Sequence, residues 1–211
     1  MDGLKSAFSL DNGGIWMWLI ALMSCICLAL IVERVYFIIF KYNTNAKNLM
    51  NEVQRCVLGD KIDDAIKACN AGGSAAIATI MKAGLTRANK NELEIQNAIE
   101  EATLEVVPKI QKNLGMMASF ANIATLLGLL GTIIGLISAF EALESATPDK
   151  RQEMLASGIA IAMNTTAFGL IVAIPTLIFH AVLSSFVKKI MEDINLYSTK
   201  LANMLSARVA K

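Results

Sequence analysis

Asn164, Thr165 and Thr166 stand side by side in the run from Ser157 to Pro175, SGIAIAMNTTAFGLIVAIP, which otherwise reads as a membrane helix. Hydrocarbon offers an amide or hydroxyl in the middle of such a run no partner. Polar side chains at that depth therefore face a bundle interior or a wet cavity and mark an ion or substrate path. A second apolar run, Leu126 to Phe140 (LLGLLGTIIGLISAF), carries Thr132 beside Gly128, Gly131 and Gly135 at three- and four-residue spacing, with Thr125 just before it. A hydroxyl donates and accepts without being charged, so Thr132 and Thr166, on two different helices, suit a step that bridges water, cation and carboxylate. Each hydroxyl also has a silent alternative, bonding back to the carbonyl four residues earlier, and a small-residue stripe serves plain helix packing equally well.

Other chemistry finds little support. His180 is the only histidine and no acidic residue lies between Met154 and Val187, so there is neither a nucleophile–base set nor a pair of acids at depth. An enzyme embedded in the bilayer is thereby disfavoured. Cys25 and Cys27 point to different sides of a helix, Cys56 and Cys69 lie apart, and all four read as reduced packing thiols, with no metal site or cofactor expected. His180, about four turns from Thr166, reads as an interfacial aromatic, with an exit proton shuttle as the sharper alternative. A net charge of +1 without a basic cluster gives no reason to expect nucleic acid.

The elements that must hold these residues follow from the distribution of charge. The chain is 55% hydrophobic and 18% charged, and no charge interrupts Ile15 to Val32, Leu114 to Phe140 or Met154 to Val187. Each stretch reaches the roughly 18 apolar residues that suggest a span. We expect an all-α membrane protein of three transmembrane helices and no strand: an outer segment 1–14, a first span 15–40, a cytoplasmic helical segment 41–113, a second span 114–140, a short periplasmic loop 141–154, a third span with its extension 155–187, and a cytoplasmic tail 188–211. The first span lacks a basic leader and a small-residue cleavage site, so it reads as retained. Arg34, Lys41, Lys47, Lys109, Lys112, Lys188 and Lys189 fall on one side, against Lys5, Lys150 and Arg151 on the other. The positive-inside rule then places the N-terminus outside and the C-terminus in the cytoplasm. Trp16 and Trp18 suit an aromatic belt, and Glu33 with Arg34 suits a charged anchor at the inner interface.

The cytoplasmic segment reads as helices Asn43 to Leu58, Asp60 to Asn70 and Ala75 to Ala88, separated by Gly59 and Gly72-Gly73 as C-terminal caps. Asn91 caps a further long helix with Glu92 and Glu94 in its first turns. That helix is expected to enter the second span unbroken, with a kink at Pro108. Likewise the third span, from Leu155 to Val187, is about 50 Å of helix against roughly 30 Å of hydrocarbon, and must continue past the bilayer.

The sequence Ala124-Thr125-Leu126-Leu127-Gly128-Leu129-Leu130-Gly131-Thr132, followed by Gly135 and Phe140, resembles the second-helix motif of the MotA/TolQ/ExbB ion-channel family. Thr166-Ala167-Phe168-Gly169-Leu170, followed by Ala173-Ile174-Pro175, resembles the pore-lining third helix of ExbB and TolQ. The resemblance covers nearly the whole chain and is closer to ExbB and TolQ than to four-helix MotA. It implies a homopentamer in the bacterial inner membrane whose second and third helices line a pore. That pore would hold a dimer of single-span ExbD/TolR-like subunits, each bringing a membrane Asp, and ion flow would drive rotation and force transfer to a partner outside the inner membrane. On this resemblance Thr132, Thr166, Thr165, Asn164 and Thr125 form the ion pathway and Gly128, Gly131, Gly135, Gly169 and Pro175 pack it.

The chain departs from the family pattern in ways that bear on the ion. Ile161 stands where ExbB and TolQ commonly have a glutamate, Thr125 replaces a proline, and His180 takes a place often held by tyrosine. Any carboxylate in the path must therefore come from the partner. Clustered neutral oxygens suit a hard cation, and the Thr165-Thr166 pair resembles that of sodium-driven stators, so sodium stands beside the proton. The alternative to conduction is a structural membrane scaffold.

Overall fold

Seven helices account for the described residues of the computed structural model, which are 14–38, 46–73, 75–145 and 147–209: α1 (Gly14–Val35), α2 (Ala46–Leu58), α3 (Ile62–Ala71), α4 (Ala76–Thr86), α5 (Glu92–Gln111), α6 (Leu114–Ser145) and α7 (Pro148–Val209). There is no strand among them. The expected outer segment apart from Gly14, the last residues of the first span and the start of the first cytoplasmic helix at Asn43 fall on residues outside the described set, while the second cytoplasmic helix, expected from Asp60, begins at Ile62. The chain divides into two units: one holds α1 to Val32, α6 and α7 to Ala181, and the other runs from Glu33 to Lys112 and from Val182 onward.

In the second unit short amphipathic helices wrap an apolar centre. On α2 the buried residues are Ala46, Leu49, Met50, Val53 and Val57, at the spacing that lines one helix face. On α3 they are Ala65, Ala68 and Cys69. The central helix α4 is buried almost all round, through Ile77, Ile80, Met81 and Leu85 among others. A side chain at Gly84 would begin 2.8 Å from Ile99 of α5 and 3.3 Å from Leu201 of α7, so the three helices meet there closely enough to need glycine. The C-terminal part of α7 contributes Leu183, Val187, Ile190, Ile194, Tyr197, Leu201 and Leu205, a stripe repeating every three or four residues.

Helix ends follow local chemistry. Asn91 caps α5 as expected, its side chain accepting from the Glu94 backbone N–H at 2.8 Å. At the end of α2 the left-handed residue is Asp60 (φ 58), not Gly59. The Lys61 N–H reaches back to the Cys56 carbonyl at 2.8 Å and that of Asp60 to Val57 at 3.2 Å, the two bonds of a Schellman motif. Asp tolerates this conformation, and Asp60 also accepts from Arg208 at 2.5 Å. The continuous entry of α5 into the second span is corrected. One apolar helical stretch, Glu92–Glu144, is long enough to span, yet Lys112 (ψ 140) and Asn113 (φ 59) interrupt its backbone, four residues beyond Pro108. Asn supplies the left-handed turn that Pro108 does not.

Cys69 is 1% exposed, and burial pushes its thiol up to about 11 from an ordinary 9.0, with the Glu52 carboxylate adding to the shift. Two pH units less thiolate should make alkylation of Cys69 at pH 8 about 100-fold slower in the folded protein than after unfolding, measured by timed iodoacetamide labelling and peptide mass analysis. Because the folded state holds this proton more tightly, its contribution to stability is complete below pH 9 and is lost as pH rises toward 11.

In the first unit three apolar helices pack through small residues. Ile20 and Cys27 of α1, Ala124 of α6 and Val172 of α7 form a buried cluster, joined by Phe120, Leu127 and Phe168. Three helices are long and apolar enough to cross a membrane, and only 28%, 22% and 28% of their most apolar windows are buried in the chain. Most of that apolar surface therefore faces lipid or other chains.

Candidate functional site

Two complementary small-residue stripes bring the threonines together. On α6 the stripe is Gly128, Gly131, Gly135 and Ala139, and on α7 it is Gly158, Ala162, Thr165 and Gly169. A Cβ at Gly128 would lie 3.1 Å from the Thr165 carbonyl oxygen, one at Gly135 2.9 Å from the Ala162 Cβ, and one at Gly169 2.7 Å from the Ala124 carbonyl oxygen. Backbones so close leave room for hydroxyls and little else. Gly158, opposite Ala139, belongs to this contact and was missing from the sequence-based set. Its signal was present, because α7 repeats the spacing that made the α6 stripe conspicuous.

At the centre of the contact Thr132, Thr165 and Thr166 gather around two main-chain carbonyls. Thr132 Oγ1 lies 3.1 Å from the Gly128 oxygen and 3.2 Å from that of Ala162, and it contacts Thr166 Oγ1 directly. Thr166 Oγ1 reaches the Gly128 oxygen at 3.0 Å. Thr165, 3% exposed, donates to the Ala162 oxygen at 2.6 Å and lies 3.4 Å from that of Gly128. The result is a patch of five neutral oxygens from two helices. Each hydroxyl brings one proton and two lone pairs, so the patch can donate to a carboxylate or accept from water or a cation.

The other sequence candidates fall elsewhere. Thr125 donates back to the Ala121 carbonyl at 3.2 Å, its silent alternative, and does not join the cluster. Asn164 is half-buried on α7 and its amide makes no hydrogen bond among the described residues. Pro175 lies inside α7, where it removes one backbone donor, and the neighbouring Thr176 hydroxyl bonds back to Val172 at 2.8 Å. Arg34 pairs with Glu33 at 2.8 Å and stands 5.7 Å from the Phe37 ring centre, with its guanidinium 3% exposed. No group of three metal-ligating side chains forms among the described residues. Trp16, expected in an aromatic belt, lies against the α6 glycine stripe. Its Cβ would be 3.3 Å from a Cβ at Gly131, which sets the first turns of α1 level with the threonine cluster.

Three helices long and apolar enough to cross a membrane, two of them joined through uncharged hydroxyls, define a multi-span helical membrane protein. The sequence model described as the MotA/TolQ/ExbB proton channel family matches residues 57–195, and the chain belongs to that family. ExbB-like 3 of Synechocystis sp. is 29% identical over 163 residues, 77% of either chain. Biopolymer transport protein exbB1 of Vibrio cholerae is 35% identical over 83 residues, covering 39% of this chain and 36% of that one. The Tol-Pal system protein TolQ of Haemophilus influenzae is 36% identical over 87 residues, 41% and 38% respectively. Family and apolar helices together make this an inner-membrane protein.

Proposed function

We propose that the chain is the ion-conducting, stator-type subunit of an ExbB–ExbD/TolQ–TolR-like motor, coupling ion flow through the inner membrane to rotation and to force on a periplasmic or outer-membrane partner. In this reading it is a homopentamer around a pore, oriented N-terminus out, and a dimer of single-span subunits brings the membrane Asp. The observation that carries it is the meeting of Thr132 and Thr166, one from each helix that bears a family motif, at a contact otherwise built of glycine and alanine. Thr165 supports the same step through its own hydroxyl and Asn164 through an amide free to face the pore, while Thr125 serves its own helix.

With Ile161 in place of an acid, the charge that answers the ion comes from the other subunit. The five neutral oxygens would then complete a carboxylate site for sodium as readily as relay a proton through water. In vesicles holding the complex, sodium coupling predicts flux that follows a sodium gradient and survives a protonophore. Flux that persists without sodium and collapses with the protonophore assigns the proton instead. A non-conducting scaffold is the second reading, favoured by the observation that all three hydroxyls of the cluster already have carbonyl acceptors within the chain.

A further inference from the structure

Between α6 and α7, immediately outward of the threonines, lies a cavity of about 620 Å³. Its inner end is formed by Gly135 and Ile161, neighbours in space and in sequence of the Ala162 whose carbonyl belongs to the hydroxyl cluster. Its walls carry Ser138, Ser157, Lys150 and Glu153. None of these four side chains makes a hydrogen bond or ion pair among the described residues. All four are exposed, and four polar side chains around a space with room for roughly 20 waters suit water rather than lipid.

The helix lengths place this cavity at the water interface. From Glu33 to Trp16 is 17 residues of sequence, about 26 Å of helix, against a hydrocarbon core of roughly 30 Å. Because Trp16 is level with Gly131, the threonine cluster sits toward the outer edge of the core rather than at its middle. Everything outward of Gly135 and Ile161 on the two helices lies at or beyond that edge.

We propose that the cavity is a water-filled antechamber feeding cations to the threonine cluster, with Glu153 attracting them and Lys150 repelling them at its mouth. This rests on the conduction reading above and adds to it the residues that set the supply. The two charges lie three residues apart on one face of α7, so they act on the same passing ion with opposite sign. In dilute salt, a unit charge about 7 Å from an ion in a water-like medium changes the local cation concentration roughly two- to threefold.

The test uses the full chain in cells together with its single-span partner. Ser138→Cys and Ser157→Cys should react with a membrane-impermeant thiol reagent added from outside, as should Glu144→Cys, an exposed control in the last turn of α6. In vesicles, Glu153→Gln should lower and Lys150→Gln raise flux roughly two- to threefold in dilute salt, both effects vanishing near 1 M salt, where the screening length is about 3 Å. Unreactive cysteines at 138 and 157 beside a reactive control overturn the proposal, and so do charge variants without opposite, salt-sensitive effects. No ion flux from the parent complex sinks the conduction reading itself, whereas flux that depends on the Thr132 and Thr166 hydroxyls but ignores Glu153 and Lys150 sinks only the antechamber.

Discussion

Thr132→Val combined with Thr166→Val should reduce ion flux by a factor on the order of 10² or more, while each Thr→Ser change retains most of it. Valine keeps the branched shape of threonine but puts a methyl in place of each hydroxyl, so α6 must ease slightly from α7 and the Thr→Ser variants isolate the part played by the oxygen. The two hydroxyls are the contact between the helices at this level, and each also faces the Gly128 carbonyl. A hydrogen bond to a charged group is worth about 1.5–3 kcal/mol, so losing two oxygens from an ion step costs about 3–6 kcal/mol if the losses add. Sharing one ion makes the losses less than additive, which sets the lower figure. Serine returns the oxygen on a looser rotamer, hence partial retention. Flux in reconstituted vesicles, with assembly checked by mass, decides the matter. Full flux from the double valine variant would remove the two hydroxyls from the ion step.

Gly169→Ala should destabilise the assembly by about 1–3 kcal/mol, the range for forcing one extra carbon into a packed contact. The added Cβ would sit 2.7 Å from the Ala124 carbonyl oxygen and 3.1 Å from the Gly128 Cα, both main-chain atoms that cannot swing aside. Separating α6 from α7 at that point pulls the Gly128 carbonyl away from Thr166, so flux falls with stability. Gly115→Ala is the matched control, because nothing lies within 4 Å of its Cβ, and there alanine's better helix propensity should leave stability unchanged or slightly raised. Thermal melting of the detergent-solubilised protein measures both. Equal melting temperatures for Gly169→Ala and the parent would show that the contact relaxes freely.

Much of this arrangement is legible in the sequence, for reasons that differ by element. The three apolar stretches declare themselves because a bilayer demands an unbroken run, and Asn91 followed by Glu92 and Glu94 declares a helix start by its hydrogen-bonding chemistry. The motifs of Thr132 and Thr166 single out those residues, though the sequence leaves open whether they touch. Pairing was not legible, since a stripe at Gly128, Gly131 and Gly135 says that something comes close and not what. Thr125 and Thr132 look alike in sequence. They part only because Thr132 has a hydroxyl opposite it on α7 and Thr125 is left with the carbonyl of its own helix. The interruption at Lys112 and Asn113 is hard to read from sequence because Pro108 is the stronger local breaker, while an asparagine that can turn left-handed is a quieter signal. The level of Trp16 depends on how α1 slides along α6, a quantity no local pattern encodes.

The threonine cluster has a further property, visible in the count of its protons. Thr132, Thr165 and Thr166 hold three hydroxyl hydrogens between them, while the distances describe six contacts that could take one. Several orderings of those hydrogens fit one set of heavy-atom positions, as they do in ice. The ordering in which all three hydrogens turn onto the Gly128 and Ala162 carbonyls frees the lone pairs of the threonine oxygens, and the ordering with Thr166 turned toward Thr132 leaves one carbonyl freer instead. The same rigid contact can therefore present itself as an acceptor surface or as a donor chain by spinning three C–O bonds, with neither helix having to move.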